Sequence, residues 1–234
     1  MSEFSTALAL ALDLLRHADP TLVDIVLRSL RVSLLALAIS GVLGFALAAL
    51  ITVTRFPGRT LLIIGINAAM GLPPVVVGLA VYLLLSRAGP LGDWGLLFSP
   101  TAMVIAQVVL VTPLICGLAR QTLEDAWREY AELFASLDLG TLRALSTLLV
   151  ETRHSLLTTL LAGFGRAISE VGAVLIVGGN IAHVTRVMTT TIAMETSRGN
   201  LALALALGFI LIFIALLVNA GVFFIRELAA RQGA

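Results

Sequence analysis

The chain has 234 residues, of which 59% are hydrophobic and only 12% are charged, and its formal net charge is +1. Soluble proteins are about half apolar and one quarter charged, so this composition excludes an ordinary soluble domain and predicts an integral membrane protein. A single cysteine excludes an internal disulfide, and the lack of a basic tract argues against nucleic acid as a partner.

The first thirty residues alternate short apolar runs with charged side chains. This pattern predicts an interfacial amphipathic segment over residues 1–30, interrupted near Pro20, because proline begins a helix more readily than it continues one. An uncharged run from about Val32 to Val53 then predicts the first membrane span.

The second predicted span, from about Leu61 to Leu85, contains the adjacent prolines Pro73 and Pro74. Neither proline has a backbone N–H, so the helix is expected to kink or unwind at this point. Two explanations stay open. The kink is either purely structural, or it faces a wet cavity or other helices that satisfy the freed carbonyls.

Three further spans are predicted at about 101–118, 155–177 and 201–225. They complete a transmembrane domain over residues 31–225 and an all-α architecture with five spans. An odd number of spans puts the two termini on opposite sides of the membrane. The distribution of arginines favours an external N-terminus and a cytoplasmic tail at residues 226–234.

Residues of about 120–154 form a polar interruption between the third and fourth spans. Trp127 and Leu137 belong to an apolar set that recurs at helical spacing, whereas Glu129 and Glu132 belong to the charged face. This amphipathic pattern has two interpretations: a docking element for a soluble partner, or a helix that lies flat on the bilayer surface.

The fourth predicted span is unusual because it contains Arg166 and Glu170. Residues four apart share one face of a continuous helix and can pair, and a charge within a span needs such compensation. One interpretation is a structural ion pair. The other is a face that lines a translocation path or gate, with Glu170 orienting Arg166 and making no direct contact with an anion.

Signatures of catalysis are missing from the sequence. The three histidines, His17, His154 and His183, are scattered and lack the spacing of metal ligands. The glycine-containing stretches do not match a phosphate-binding loop. We therefore expect no catalytic residue, no metal site and no cofactor in this chain.

Five spans with a large loop between the third and the fourth resemble the permease subunit of type I ABC importers. In that family the loop carries a glutamate–alanine–alanine motif followed by a glycine, and it forms a coupling helix that docks on the ATPase subunit. Here Glu132 matches the glutamate, Leu133 and Phe134 replace the alanines, and Asp138 stands at the glycine position. Gly140 is expected to provide the turn instead.

A second stretch narrows the resemblance. The runs GFGRAISEVGAVLIVGGN and TRVMTTTIAMETSRG, which lie between Gly163 and Gly199, are similar to permeases for sulfate, molybdate and tungstate. Together with the run from Arg55 to Gly92, they look most like the tungstate branch.

The resemblance implies a homodimer in a bacterial or archaeal cytoplasmic membrane, with two ATPase subunits that bind ATP and Mg and an extracytoplasmic oxyanion-binding protein. The expected function is import of a tetrahedral oxyanion, tungstate first, with molybdate or sulfate as the alternative and a non-transport membrane scaffold as a third possibility. The residues expected to couple to the ATPase are Trp127, Glu129, Glu132, Leu137, Asp138 and Gly140. Those expected at the translocation path or gate are Pro73, Pro74, Arg166, Glu170 and Asn180.

Overall fold

A computed structural model describes the backbone of residues 3–17 and 19–232, and the side chains of residues 4–17 and 19–224. The described chain is almost entirely helical, as the composition and periodicity predict. Its α-helices are α1 (Glu3–Arg16), α2 (Pro20–Val53), α3 (Arg59–Met70), α4 (Pro74–Leu85), α5 (Pro100–Ser136), α6 (Thr141–Glu151), α7 (Arg153–Ile168), α8 (Gly172–Gly178), α9 (Met188–Ser197) and α10 (Leu201–Gln232). A short 3-10 turn, Gly92–Trp94, follows α4.

Three described helices are long and apolar enough to cross a membrane: α2, α5 and the Leu201–Phe224 part of α10. Two bent pairs of helices pass the same test, α3 with α4 at 103° and α7 with α8 at 54°. The count of spans in the described chain is therefore three, or up to five if each bent pair is one span. The number of five remains a prediction.

The break predicted at the paired prolines is confirmed. Helix α3 ends at Met70 and α4 begins at Pro74, where a missing N–H costs the helix nothing because the first turn has no partner for it. The N–H of Gly71 turns back to the carbonyl of Ala68 at 3.1 Å and closes α3.

Other helices continue past their predicted limits. Helix α2 runs from Pro20 to Val53 in one piece, so no helix boundary falls near residue 30. Helix α5 continues from the third predicted span to Ser136, deep into the segment predicted as a coupling loop. The predicted tail continues α10 as far as Gln232, and Gly233 and Ala234 lie outside the described residues.

The chain divides into two compact units, each with its own apolar core. The first comprises Met1–Leu34, Pro74–Gln107 and Ile168–Ala234, and the second comprises Leu35–Pro73 and Val108–Ala167. In the first unit, α1 and α9 pack against α10 around a buried cluster: Ala11, Leu22, Ile25, Met188, Ala206, Leu207 and Ile210. The predicted interfacial segment therefore packs part of its apolar face inside the protein.

Helices α4 and α8 of the first unit approach each other closely at Gly78. A Cβ atom at this position would lie 2.7 Å from Cα of Ala173, nearer than real Cβ atoms come to backbone. Nearby, the N–H of Phe98 donates to the carbonyl of Val177 at 3.0 Å. This region holds the end of α8, from which the candidate site begins.

In the second unit, the helix ends that are predicted to face the cytoplasm share one buried cluster. It joins α2, α5 and α6 through Ile51, Leu123, Phe134 and Leu148. These side chains are almost fully excluded from solvent, so the segment predicted as a loop has a packed interior.

Candidate functional site

The first candidate site is the hairpin, by which we mean the end of α5 from residue 120, the turn at residues 137–140, and α6. Its inner side is aromatic. The ring of Phe134 stacks on Tyr130 at a centroid distance of 5.9 Å and lies 6.0 Å from Trp127. Phe134 is itself buried, with Ala144 and Leu148 of α6 in the same cluster. A phenylalanine in place of the family's alanine thus fills the hairpin interior.

The backbone conformation of the hairpin turn explains how aspartate can stand at residue 138, where the family motif has a glycine. Asp138 adopts φ = +48°, a left-handed conformation that glycine takes most readily and that aspartate tolerates better than most residues. The expectation that Gly140 replaces the glycine of the family motif is wrong, because Gly140 has an extended backbone with φ = −63° and ψ = 149°. Gly140 instead precedes α6, and its carbonyl accepts the N–H of Ala144 at 3.1 Å.

The outer side of the hairpin combines exposed leucines with carboxylates. Leu137 is 59% exposed and Leu142 is 83% exposed, and the side chains of Glu129, Glu132 and Asp138 around them are exposed as well. Exposed apolar side chains within a polar rim are typical of an interaction surface. Five of the six predicted coupling residues therefore lie on accessible surface or in the turn, whereas Trp127 is half-buried in the aromatic interior.

The second candidate site surrounds Glu170 in the first unit. Helix α7 ends at Ile168 and α8 begins at Gly172, so Glu170 lies in the break between them. The prediction that Arg166 and Glu170 share the face of one continuous helix is therefore wrong. Arg166 occupies the last turn of α7 and is half-buried.

Glu170 is 4% exposed, and its side chain and its backbone carbonyl each accept a hydrogen bond from a neighbouring helix. Its Oε1 atom accepts the N–H of Ala173 at 3.1 Å, which satisfies one of the free donors at the start of α8. Its carbonyl accepts the hydroxyl of Thr189 at 2.9 Å. The carboxylate thus holds the start of α8, and the backbone ties that start to α9.

Asn180 ties the other end of α8 to α9. It has φ = +50°, directly after Gly179 with φ = +69°, so the chain reverses sharply here. Its Oδ1 atom accepts the hydroxyl of Thr190 at 2.9 Å, and its Nδ2 atom donates to Sδ of Met194 at 3.4 Å. Arg186 donates from Nη2 to the Asn180 carbonyl at 3.4 Å.

The structure brings some of the predicted path residues together. A Cβ atom at Gly172 would lie 2.9 Å from Cγ2 of Val75 and 3.7 Å from Oε1 of Glu170, so the start of α4 after Pro74 adjoins the start of α8. Asn180 lies at the opposite end of the seven-residue α8. Pro73 is exposed, in the segment between α3 and α4.

Two features of the site were not found from the sequence. Glu195 on α9 is buried, and its carboxylate accepts hydrogen bonds from Arg198 at 3.0 Å and Asn200 at 3.1 Å. Glu124 bridges two arginines, one of them 65 residues away. The spacing of Glu195 and Arg198 offers a weak signal, but no local pattern indicates a contact across 65 residues. Among the described side chains, no group of histidine, cysteine, aspartate and glutamate is placed to hold a metal ion.

The chain is similar to known proteins along most of its length. No protein-family model matches it. It is 39% identical over 217 residues to the tungstate uptake system permease protein TupB of Peptoclostridium acidaminophilum, covering 93% of this chain and 95% of that protein. It is 41% identical over 205 residues to a probable anion ABC transporter permease of Haloferax volcanii, covering 85% and 88%. The sulfate transport system permease CysT of Escherichia coli K12 is 30% identical over 203 residues, covering 83% and 72%.

Proposed function

The chain belongs to the permease subunits of ABC transporters for oxyanions, and on this basis we propose that it carries tungstate into the cytoplasm. The observation that carries the choice of substrate is the identity of 39% across 95% of a tungstate uptake permease. Identity to the sulfate permease is lower and covers less of that protein, 30% across 72%. Sulfate and molybdate are therefore competitors in the test rather than the proposed cargo.

The assembly that we propose is a homodimer with two ATPase subunits, which bind ATP and Mg, and an extracytoplasmic binding protein that delivers the oxyanion. In this assembly the N-terminus is outside and the C-terminus inside. The support for that orientation is the excess of arginine on one side of the five predicted spans. This chain binds no ATP and takes part in transport as the membrane channel.

The hairpin is the proposed contact with the ATPase. Leu137 and Leu142 present apolar surface, and Glu129, Glu132 and Asp138 supply a negative rim. A surface of this kind, in which exposed apolar side chains alternate with charged ones, is typical of a contact with another protein, and this supports docking to the ATPase.

The proposed path involves Pro73, Pro74, Arg166, Glu170 and Asn180 in different ways. Arg166 is the attracting charge for an anion. Oε1 of Glu170 accepts a hydrogen bond from the start of α8, and Oδ1 and Nδ2 of Asn180 are hydrogen-bonded to α9, which supports positioning rather than contact with the anion. The break at Pro73 and Pro74 allows α3 and α4 to re-pack separately as the transporter alternates between its states.

An uptake assay tests the proposal. The chain is reconstituted in vesicles with its ATPase and binding protein, and tungsten inside washed vesicles is measured by elemental mass spectrometry with and without ATP. We expect ATP-dependent accumulation of tungstate that excess sulfate does not reduce. Preferential uptake of molybdate or sulfate would change the proposed cargo, and equal tungsten content in vesicles without this chain would contradict a transport role.

A further inference from the structure

A cavity of about 300 Å³ in the second unit lies beside the turn that joins α2 to α3. Its walls include three arginines, Arg55, Arg59 and Arg128, together with Glu124 and Trp127. This volume is at the lower end of the range for ligand pockets, about 300 to 1,000 Å³. The residues assigned to coupling and to the path, apart from Trp127, do not line it.

The only carboxylate that lines this cavity is already engaged on both oxygens. Oε1 of Glu124 accepts Nη2 of Arg59 at 2.5 Å, and Oε2 accepts Nη1 of Arg120 at 2.5 Å. Arg59 also donates from Nε to the carbonyl of Ile51 at 2.9 Å, which fixes its guanidinium against the end of α2. Glu124 therefore neutralises one of two fixed positive charges and leaves the other uncompensated.

Two more guanidiniums are available at the rim. Arg55 is exposed, and within the described residues no carboxylate lies at ion-pair distance from it. Arg128 has Asp125 at 3.6 Å, but both side chains are 75% exposed, and such surface pairs contribute little. Three arginines and one carboxylate line the cavity, and their ion-pair partners outside the lining add one arginine, Arg120, and one carboxylate, Asp125, so positive charge is in excess by two.

The hydrogen-bond donors of the cavity point to an oxyanion. The hydroxyls of Thr52 and Thr54 donate to carbonyls of their own helix, at 2.8 and 2.5 Å, so the side-chain donors that remain among the lining residues are the guanidinium N–H groups and the indole N–H of Trp127. Guanidinium binds phosphate-type oxygens in charge-assisted pairs, often with two hydrogen bonds at once.

The position of the cavity adds a second argument. The uncharged stretch of α2 ends at Val53, so a membrane span that ends with this apolar run would put Arg55 at the level of lipid headgroups. Trp127 lines the same cavity, and tryptophan is enriched at that level of membrane proteins. Basic pockets between helices at this depth bind the headgroups of anionic lipids.

We infer that the cavity formed by Arg55, Arg59 and Arg128 binds a phosphate-type oxyanion, either as the headgroup of an anionic phospholipid or free in solution. The inference is independent of the transported cargo, because it rests on the charges and donors of the second unit alone. Occupation of the site would join the α2–α3 turn to the α5 part of the hairpin.

The test uses the fluorescence of Trp127 in the purified full chain. The sequence has two tryptophans, so Trp94→Phe makes Trp127 the sole reporter. In a detergent without charge, the protein is titrated with short-chain phosphatidylglycerol, with short-chain phosphatidylcholine and with inorganic phosphate. Native mass spectrometry counts the bound lipid or anion as a second readout.

The variant for this test is Arg55→Gln with Arg128→Gln, which leaves the bridge between Arg59, Glu124 and Arg120 intact. Its matched control is Arg87→Gln with Arg143→Gln, an equal change of charge at exposed arginines outside the cavity. We expect saturable binding that the control retains and that the variant weakens about tenfold or more, since two charge-assisted contacts are lost.

The pattern of response identifies the source of the oxyanion. Binding of phosphatidylglycerol but not of phosphate assigns the site to a lipid headgroup, and binding of phosphate assigns it to a free anion. Equal binding of phosphatidylcholine, an unchanged affinity in the variant, or no binding in either readout would overturn the inference. None of these outcomes depends on whether tungstate is transported.

Discussion

Glu170 keeps a carboxylate buried in a largely apolar stretch because the backbone at the start of α8 needs an acceptor. The accepted N–H belongs to Ala173, which is itself completely buried. An unsatisfied donor at such a site costs about 1–3 kcal/mol. The charge itself is less important for this contact than the oxygen atom that carries it.

Glu170→Gln and Glu170→Leu separate these two properties. Glutamine retains an oxygen that can accept the N–H of Ala173, so we expect a smaller loss of unfolding free energy than for leucine. Leucine leaves the donor unsatisfied and should lower the unfolding free energy by about 1–3 kcal/mol, measured by denaturant unfolding in detergent. The exposed Glu129→Leu is the control and should change stability by less than about 0.5 kcal/mol. Equal losses for glutamine and leucine would show that the charge, not the acceptor, is required.

Trp127 is one of the residues proposed for coupling, but its substitution should first disturb the packing of the hairpin. Its ring packs against Phe134 within the hairpin and is half-buried. We expect Trp127→Ala to lower the free energy of local unfolding of the hairpin by roughly 2 kcal/mol. A fully buried ring would lose approximately 3–5 kcal/mol. Hydrogen exchange of α6 amides measures the loss, and Leu142→Ala serves as the exposed control. Unchanged protection of α6 in Trp127→Ala would contradict a packing role.

At the scale of elements, the hairpin has an interior of packed aromatic and apolar side chains and an exterior with exposed leucines. Removing apolar surface from the exterior by Leu137→Ser with Leu142→Ser should leave folding intact, since both side chains are exposed. We expect ATP hydrolysis that no longer drives uptake, because the proposed contact with the ATPase would be weakened. The readout is the ratio of tungstate transported to ATP hydrolysed in vesicles.

The control for the hairpin exterior is Phe56→Ser, an exposed apolar residue in the α2–α3 turn. It should keep the parental ratio. If the hairpin variant also keeps that ratio, the exposed leucines do not form the coupling contact, and the alternative of a helix on the bilayer surface gains support.

The contact between α4 and α8 depends on the missing side chain at Gly78. A methyl group there meets the Ala173 backbone at 2.7 Å, so the two helices must separate. We expect Gly78→Ala to lower the unfolding free energy by about 1–3 kcal/mol through overpacking. Gly65→Ala in α3 is the matched control, because a Cβ there has nothing within 4 Å and alanine favours helix by about 0.5–1 kcal/mol. A stable Gly78→Ala protein would show that α4 and α8 yield without cost.

Some of these helix limits could be predicted from the local sequence, and others could not. The uncharged run ending at Val53 and the break before Pro74 follow from composition and from the missing proline N–H, and the structure agrees with both. The extension of α5 to Ser136 was missed, because a change from apolar to amphipathic residues ends a span without ending a helix. The left-handed backbone of Asp138 and the bridge from Glu124 to Arg59 depend on tertiary packing, which no local pattern encodes.

At the scale of the whole molecule, the prediction with the largest consequence is the membrane topology. Cys116 is the only cysteine and is buried, so the parent protein provides a low background for labelling with a membrane-impermeant maleimide. We expect Thr6→Cys to react in intact cells. Ser136→Cys, in the hairpin, and Gly233→Cys should react only after permeabilisation.

Two outcomes of the labelling would revise the architecture. If Thr6→Cys and Gly233→Cys react from the same side, the number of spans is even, and one of the bent pairs is a re-entrant segment rather than a span. If Ser136→Cys reacts in intact cells, the hairpin is external and cannot meet an ATPase. Denatured protein, in which every introduced cysteine reacts, is the control for labelling efficiency.

Helix α5 has a mechanical consequence that follows from its length. Its 37 residues measure about 55 Å at 1.5 Å per residue, against about 30 Å for the hydrocarbon core of a bilayer. The part beyond Pro113 is about 35 Å long. Pro113 cannot donate a hydrogen bond to the preceding turn, so a bend of α5 would cost least there. A rotation of about 10° at Pro113 would swing the tip at Ser136 through about 6 Å. By the same geometry, a force applied at Ser136 would displace residues near Pro113 by a smaller distance and would act on them with a proportionally greater force.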